Sequence, residues 1–259
     1  MMKRQDPTFR ARENEETGQT LISGMGELHL EVIKHRLLRD FRLNVRVHKP
    51  RVSYRETIER AVTATGHCHR AIGGQTLFAE VQIRMEPNAA MPKPVAMLGA
   101  ISDDNLRPFL VVAQEIITEL GEGGGSLGFP LMHVKTTITG GAWREGESNE
   151  LAFRYAAHDA FEKALREAGI VLLAPIMRLE VTVPEEHLGD IMGDLQQRRA
   201  LIQRTHTRGR STVIEAHAPL ASLFGYSSAM RGLSQGRATC TMEPHSYGPA
   251  PADVLAGFM

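Results

Sequence analysis

The alternation of apolar and polar positions predicts short strands and amphipathic helices along the whole chain. In the last third, apolar residues at every second position over 177–183 predict a strand, and Leu188, Ile191 and Leu195 share one face of a predicted helix. A hairpin turning at Arg208-Gly209, a helix from Leu220 and a strand over 238–244 follow. The order β-α-β-β-α-β is that of the ferredoxin-like fold.

The first 49 residues repeat only part of this order. Strands are predicted over 8–13 and 19–25, a helix over 27–40 and a strand over 44–48. This β-β-α-β order lacks the opening strand and helix of a ferredoxin-like unit, and the missing strand belongs in the sheet interior. We therefore expect residues 1–48 to be mobile or to complete their sheet through a neighbouring molecule, which includes self-association.

The middle of the chain, residues 50–173, predicts a third α+β part. Strands are expected over 52–59, 77–85 and 132–138, and a short apolar run over 97–101. One predicted helix begins near Pro108 and ends at Gly121. Another begins at Asn149, a favoured N-cap residue, and its buried face is predicted to comprise Phe153, Ala157, Ala160, Phe161, Ala164 and Ala168.

Two glycine-rich loops interrupt this middle part. Residues 139–149 combine glycines and charged residues with Trp143, the single tryptophan of the chain, so we expect an exposed loop. Residues 121–128 are predicted to form a flexible second loop beside Trp143. They are not a phosphate-binding loop, because they follow a helix and no lysine follows the glycines.

Composition and charge place the chain among ordinary globular proteins. The 259 residues are 42% hydrophobic and carry a formal net charge of zero, whereas general nucleic-acid binders are usually strongly basic. Any RNA contact must therefore come from local patches. The first residues lack the apolar core of a secretion signal, and two distant cysteines suggest no disulfide framework, so we expect a cytoplasmic protein with no membrane partner.

We predict neither a catalytic site nor a metal site. His67-Cys68-His69 suggests a metal, but on a strand the two histidines point away from the cysteine, and a site needs further ligands such as His133 or His158. A zinc hydrolase built on these histidines is the alternative from another functional class. No Gly-x-x-x-x-Gly-Lys-Ser/Thr motif occurs, so no nucleotide cofactor is expected for this chain.

Several motifs resemble the translational GTPases of the elongation factor G type. They run in order from Ile-Ser-Gly-Met-Gly-Glu-Leu-His-Leu-Glu at 22–31 to Met242-Glu243. Between them lie Lys-Pro-Arg-Val-Ser-Tyr-Arg-Glu-Thr at 49–57, Asn-Glu-Leu-Ala-Phe at 149–153, Leu-Ala-Pro-Ile-Met at 173–177, Pro-Glu-Glu at 184–186, Gly-Asp-Ile-Met-Gly-Asp-Leu at 189–195, Leu-Phe-Gly-Tyr at 223–226 and Leu-Ser-Gln-Gly-Arg at 233–237.

The resemblance implies the end of domain III (residues 1–49), domain IV (50–173) and domain V with a tail (174–259). It also implies a left-handed βαβ crossover in domain IV, against the usual rule. In that family domain IV enters the decoding region of the small ribosomal subunit and promotes movement of transfer and messenger RNA. The GTPase domain, with its GTP and magnesium, is a separate part of the parent chain.

The resemblance also supplies the candidate RNA contacts. At the tip of domain IV, Arg144 is expected to meet a phosphate and Trp143 to stack on a base, although the indole folded back on the protein is the alternative. The full tip set is Gly140, Gly141, Ala142, Trp143, Arg144 and Glu145 with Gly124, Gly125 and Ser126. In domain V the set facing large-subunit RNA is Arg198, Arg199, Arg231, Gln235 and Arg237.

Two features depart from the family pattern. Trp143-Arg144-Glu145 stands where the commoner sequence is aromatic-His-acid, and residues 70–78 are less basic and poorer in glycine than the family's loop. The alternative function is therefore a specialised relative, acting in ribosome recycling or protection or lacking a GTPase domain.

Overall fold

The computed structural model describes residues 9–14, 18–24, 27–40, 43, 46–48 and 50–258. The protein is α+β and divides into two compact units. The first unit comprises residues 1–53 and 174–248, and the second comprises residues 54–173 and 249–259. No helix in the described ranges is long and apolar enough to cross a membrane.

The elements are numbered in chain order. They are β1 (Arg10–Asn14), β2 (Gln19–Ser23), α1 (Glu27–Arg39), β3 (Arg55–Ile58), β4 (Val62–Ile72), β5 (Gln75–Pro87), β6 (Val95–Leu98), α2 (Arg107–Gly123), β7 (Val134–Ala142), α3 (Glu150–Ala168), β8 (Ile170–Pro184), α4 (Leu188–Gln197), β9 (Leu201–Arg208), β10 (Ser211–Pro219), α5 (Tyr226–Leu233), β11 (Thr239–Pro249) and α6 (Ala252–Ala256).

The ferredoxin-like sheet predicted for the C-terminal part of the first unit is present. Its strand order is β11-β8-β10-β9, and α4 and α5 contact each other. The alternation along β8 is as predicted, with Leu179, Val181 and Val183 buried and Arg178 and Glu180 exposed. Burial of every second residue on one face supplies the hydrophobic stabilisation of the sheet.

The N-terminal part of the first unit contains the predicted hairpin and helix. β1 and β2 pair antiparallel, and in the described part of the chain neither strand pairs with a third. A groove of about 770 Å³ lies between β2, α1 and residues 46–48, where the interior strand would belong. Residues 46–48 form no strand, and Thr8, Met25 and Asn44, at the ends of predicted strands, lie outside the described residues.

The second unit is a mixed sheet of order β4-β5-β7-β6 packed against α2 and α3. β4, β5 and β7 are antiparallel neighbours, whereas β6 and β7 are parallel and α2 connects them. The left hand of this crossover stays a prediction. The cap of α3 is confirmed, because the Asn149 side chain accepts a hydrogen bond of 2.9 Å from the Ala152 amide. The six residues of its predicted apolar face are all buried.

An aromatic triangle holds the end of the tail. The rings of Tyr54, Phe129 and Phe258 meet edge to face, with centroid separations of 5.1 to 5.6 Å. The Ala250 amide also donates to the Leu172 carbonyl at 2.8 Å. The tail is therefore packed within the second unit.

Candidate functional site

Two turns lie at the same end of the second unit, and we call them together the tip. The first joins β4 to β5 through Gly73 and Gly74, whose φ angles are +61° and +84°. Positive φ at both central positions is typical of the two-residue turns that match the twist of a hairpin. The second turn is the loop of residues 143–149, which follows β7.

Phe78 on β5 holds the second turn against the hairpin. Its amide donates to the Glu147 carbonyl at 3.0 Å, and its carbonyl accepts a bond of 2.7 Å from the Ser148 hydroxyl. The same hydroxyl oxygen accepts from the Arg144 amide at 2.8 Å, and the Ser148 amide donates to the Arg144 carbonyl at 3.0 Å. The loop is therefore a closed turn, tied to the hairpin by main-chain bonds.

The loop is shorter than the sequence indicated. We expected residues 139–149 to be irregular, but β7 continues to Ala142, and Gly140, Gly141 and Ala142 pair with β5. Gly141 is necessary there, since a Cβ at this position would lie 2.3 Å from the carbonyl oxygen of Glu80. These three candidate residues are thus in a paired strand. The exposed residues of the loop are Arg144, Glu145, Gly146 and the cap residue Asn149.

Trp143 is folded back on the protein. Its half-buried ring packs against the core of the second unit, and its Nε1–H donates to Asp103 Oδ2 at 3.0 Å. This hydrogen bond is the main cause that holds the pKa of Asp103 below its usual range. The base-stacking face expected for Trp143 is therefore engaged inside the protein.

Arg144 extends over the ring of Phe78, with its Cζ 3.8 Å from the ring centroid. Its Nη1 lies 3.4 Å from a carboxylate oxygen of Glu147, and the side chain remains 56% exposed. Exposed pairs of this kind contribute little to stability. A phosphate, which accepts two parallel N–H bonds from arginine, competes well with such a carboxylate.

The placement expected for Gly124, Gly125 and Ser126 beside Trp143 is wrong. The residues that follow them lead into Val134 at the start of β7, whereas Trp143 follows its end. β7 has nine residues, and at about 3.4 Å per residue the two ends are roughly 27 Å apart. The glycine-rich loop thus lies at the end of the sheet opposite the tip.

A buried carboxylate explains the position of this loop. Glu56 on β3 is fully buried, and its Oε1 accepts hydrogen bonds from the amides of Leu127 at 3.1 Å and Phe129 at 2.7 Å. A Cβ on Gly125 would lie 2.3 Å from its Oε2. Burial raises the pKa of Glu56, and the loop amides counter that shift only in part.

The arginines proposed for domain V do not form one patch. Arg198 serves the interior: its guanidinium is bonded to Asp194 at 2.8 Å and to the Ser222 carbonyl at 2.9 Å. Arg237 instead pairs with Glu186 and meets His187 Nε2 at 2.6 Å. Arg198 follows α4 and contacts Ser222 ahead of α5, whereas Arg237 follows α5 and contacts Glu186 and His187 ahead of α4. The two arginines therefore lie at opposite ends of the helix pair. Exposed positions are Arg199, Arg231, Gln235 and Arg237.

The histidines of β4 point as the strand geometry predicted. His67 and His69 are exposed and Cys68 is buried. The amide of His67 binds Asp159, and its Nδ1 lies 3.4 Å from Glu80. Across the described residues no three ligating side chains come together in a way that suits a metal ion.

The β4–β5 turn is the functional candidate that the sequence reasoning missed. Residues 73–76 lie at the exposed end of the hairpin, but they were not among the proposed contacts. A Gly-Gly pair between two alternating runs is a hairpin signal, and it was available at Gly73-Gly74.

Comparison with known families assigns nearly the whole chain. Residues 1–49 match the family described as Elongation Factor G, domain III. Residues 50–169 match Elongation factor G, domain IV, and residues 171–257 match Elongation factor G C-terminus. None of these is the GTPase catalytic domain of such a factor.

A solved structure agrees with this assignment. A crystal structure of a protein from Thermus thermophilus superposes with a TM-score of 0.81 at 34% sequence identity. The match covers 99% of this chain and 38% of that protein, so the chain spans well under half of its relative's length. The chain therefore belongs to the elongation factor G family and corresponds to the C-terminal portion of such a factor.

Proposed function

We propose that the second unit inserts its tip into the decoding region of the small ribosomal subunit and promotes movement of transfer and messenger RNA. One observation carries the proposal: at the end of the sheet where the β4–β5 hairpin turns, the 143–149 loop is bonded to Phe78 on β5 and presents Arg144 to solvent. Glu145 and Glu147 repel phosphates. Arg144 and the uncharged turn at Gly73 and Gly74 are therefore the parts of the tip that contact the RNA backbone.

The remaining partners follow from the family. We propose that the parent factor is a cytoplasmic GTPase whose GTP and magnesium are held by a domain outside this chain. The exposed residues Arg199, Arg231, Gln235 and Arg237 are proposed to face large-subunit RNA, with Arg199 after α4 and the other three near the end of α5. A role in recycling or protection is the second candidate, favoured by Trp143-Arg144-Glu145 at the tip.

Self-association through the N-terminal sheet also stays a prediction. It rests on the unshared edge of β2 and on the apolar groove beside it. Sedimentation velocity at increasing protein concentration tests it: a dimer that Ile22→Asp dissociates supports the idea, and a monomer at all concentrations rejects it.

Co-sedimentation with ribosomes over a range of salt concentrations tests the proposed function. Phosphate contacts release counterions, so the affinity should fall steeply with salt. Arg144→Ala should weaken binding and lower the salt slope by about one. Arg84→Ala is the matched control, because Arg84 belongs to the same unit, is 58% exposed and also pairs with a glutamate. Absence of binding at low salt, or an equal loss from both variants, would reject the proposal.

A further inference from the structure

Trp143 is the only large apolar side chain of the loop at 143–149, and it is anchored by two kinds of contact. Its ring packs against the core, while its Nε1–H donates to Asp103 Oδ2 at 3.0 Å. An indole has one hydrogen-bond donor and no acceptor, so this bond uses its whole polar capacity. The side chain therefore has a defined position in the free protein.

The acceptor is fixed as firmly as the donor. Asp103 Oδ1 accepts from the amides of Asn105 at 2.9 Å and Leu106 at 3.3 Å, and the Asp103 carbonyl accepts from the Arg107 amide at 3.2 Å. These bonds form the turn that begins α2 at Arg107. Because the pKa of Asp103 is lowered, its carboxylate is ionised at neutral pH and makes a charge-assisted bond with the indole.

The loop is consequently held on two sides. Main-chain and hydroxyl bonds join it to Phe78 on β5, and the indole joins it to the start of α2. Arg144 lies directly between these attachments, so its backbone cannot move far without breaking one of them. A side chain ordered before binding loses less entropy when it meets its ligand.

We propose that Trp143 is a positioning residue, which fixes the loop to the start of α2 through Asp103 and so preorganises Arg144 for an RNA phosphate. This inference rests on the proposed function of the tip. It assigns the indole a different role from base stacking, which would require the ring to leave the core and the hydrogen bond to Asp103 to break.

Variants that remove the hydrogen bond test the assignment. Trp143→Phe keeps an aromatic ring of smaller size and loses the N–H. Asp103→Asn leaves one acceptor oxygen where the carboxylate used one oxygen for the indole and the other for the amides of Asn105 and Leu106. Each should weaken ribosome binding about three- to tenfold, the range expected for one hydrogen bond. Because both remove the same bond, the double variant should bind no more weakly than either single variant. Additive losses, or no loss in either single variant, would overturn the proposal.

A second measurement needs no ribosome. Amide hydrogen exchange in the free protein should be faster at Arg144 and Ser148 in Trp143→Phe, while exchange in α3 and the unfolding midpoint stay unchanged. Unchanged exchange in the loop would overturn the positioning role even if the ribosome binds. Faster loop exchange in a chain that never binds ribosomes would instead reject only the proposed function.

The state of the indole in the complex separates positioning from stacking. Trp143 is the only tryptophan, so 5-hydroxytryptophan incorporated in its place gives a probe whose excitation is distinct from that of ribosomal tryptophans. Its emission should hardly change on ribosome binding. Strong quenching, as expected for an indole stacked on a base, would overturn the proposal.

Discussion

Replacement of Gly66 by alanine tests how closely β4 crosses α3. A Cβ at this position would lie 2.0 Å from the carbonyl oxygen of Ala156 and 2.3 Å from the amide nitrogen of Ala160. Both atoms belong to the helix backbone, so no side-chain rotation can relieve the clash. The strand and the helix must separate by about 1.5 Å to restore ordinary contact distances.

The expected cost follows from what that separation disturbs. α3 buries its apolar face against the sheet, with Phe153, Ala156 and Ala160 fully buried in the core. Overpacking of a core costs about 1–3 kcal/mol when side chains can adapt. Here backbone must move, so we expect Gly66→Ala to lower the free energy of unfolding by about 3–5 kcal/mol, a large part of the stability of a typical domain.

Urea unfolding followed by the fluorescence of Trp143 measures the change in the free energy of unfolding, because Trp143 and Gly66 both belong to the second unit. Gly123→Ala is the control: a Cβ there has no neighbour within 4 Å, and the residue ends α2. The control should be neutral or stabilising by up to about 1 kcal/mol. A value for Gly66→Ala within about 1 kcal/mol of the wild type would refute the reasoning from backbone contact.

Three further predictions concern buried or clustered side chains. Burial raises the pKa of Glu56 in the folded protein above its ordinary value. The contribution of this carboxyl to stability is therefore fully present below the ordinary carboxyl pKa and is lost as the pH rises through the pKa of the folded protein. Across this pH range, the urea unfolding midpoint of Glu56→Gln should depend less on pH than that of the wild type. Arg198→Ala should lower the free energy of unfolding by about 2 kcal/mol, because Asp194 and the Ser222 carbonyl lose their hydrogen-bond partner. Thermal unfolding followed by circular dichroism measures this loss, and Arg208→Ala, at an exposed position, should have almost no effect. Phe258→Ala should cost about 1–2 kcal/mol in urea unfolding of the second unit, since two edge-to-face contacts disappear, and an unchanged midpoint would contradict a structural role for the tail.

Regular elements with strong local patterns were predictable from the sequence. The α3 helix is capped by Asn149 and buries the face indicated by its 3.6-residue period, because cap and period act within a few residues. The ferredoxin-like order emerged for the same reason, since β8 and β10 alternate and each helix has one apolar face. The strand β4 was not identified as an element, although its alternation around Cys68 was recognised.

The candidate site was less predictable, because distant residues determine it. Gly140 and Gly141 indicate a turn by composition, yet β5 pairs with them and the strand continues. Ser126 belongs to a loop that Glu56 holds, about 70 residues earlier in the chain. The position of Trp143 depends on Asp103, 40 residues away, and no local pattern indicates that hydrogen bond.

Directed hydroxyl-radical cleavage tests the central claim most directly. An iron chelate is attached at Glu145→Cys in the tip, or at Ser126→Cys at the opposite end of the same sheet, in a chain whose Cys68 and Cys240 are replaced by alanine and serine. The account predicts that the tip probe cleaves small-subunit RNA around the decoding region and that the Ser126 probe does not cut there. The same cleavage from both probes, or none from the tip, would contradict it.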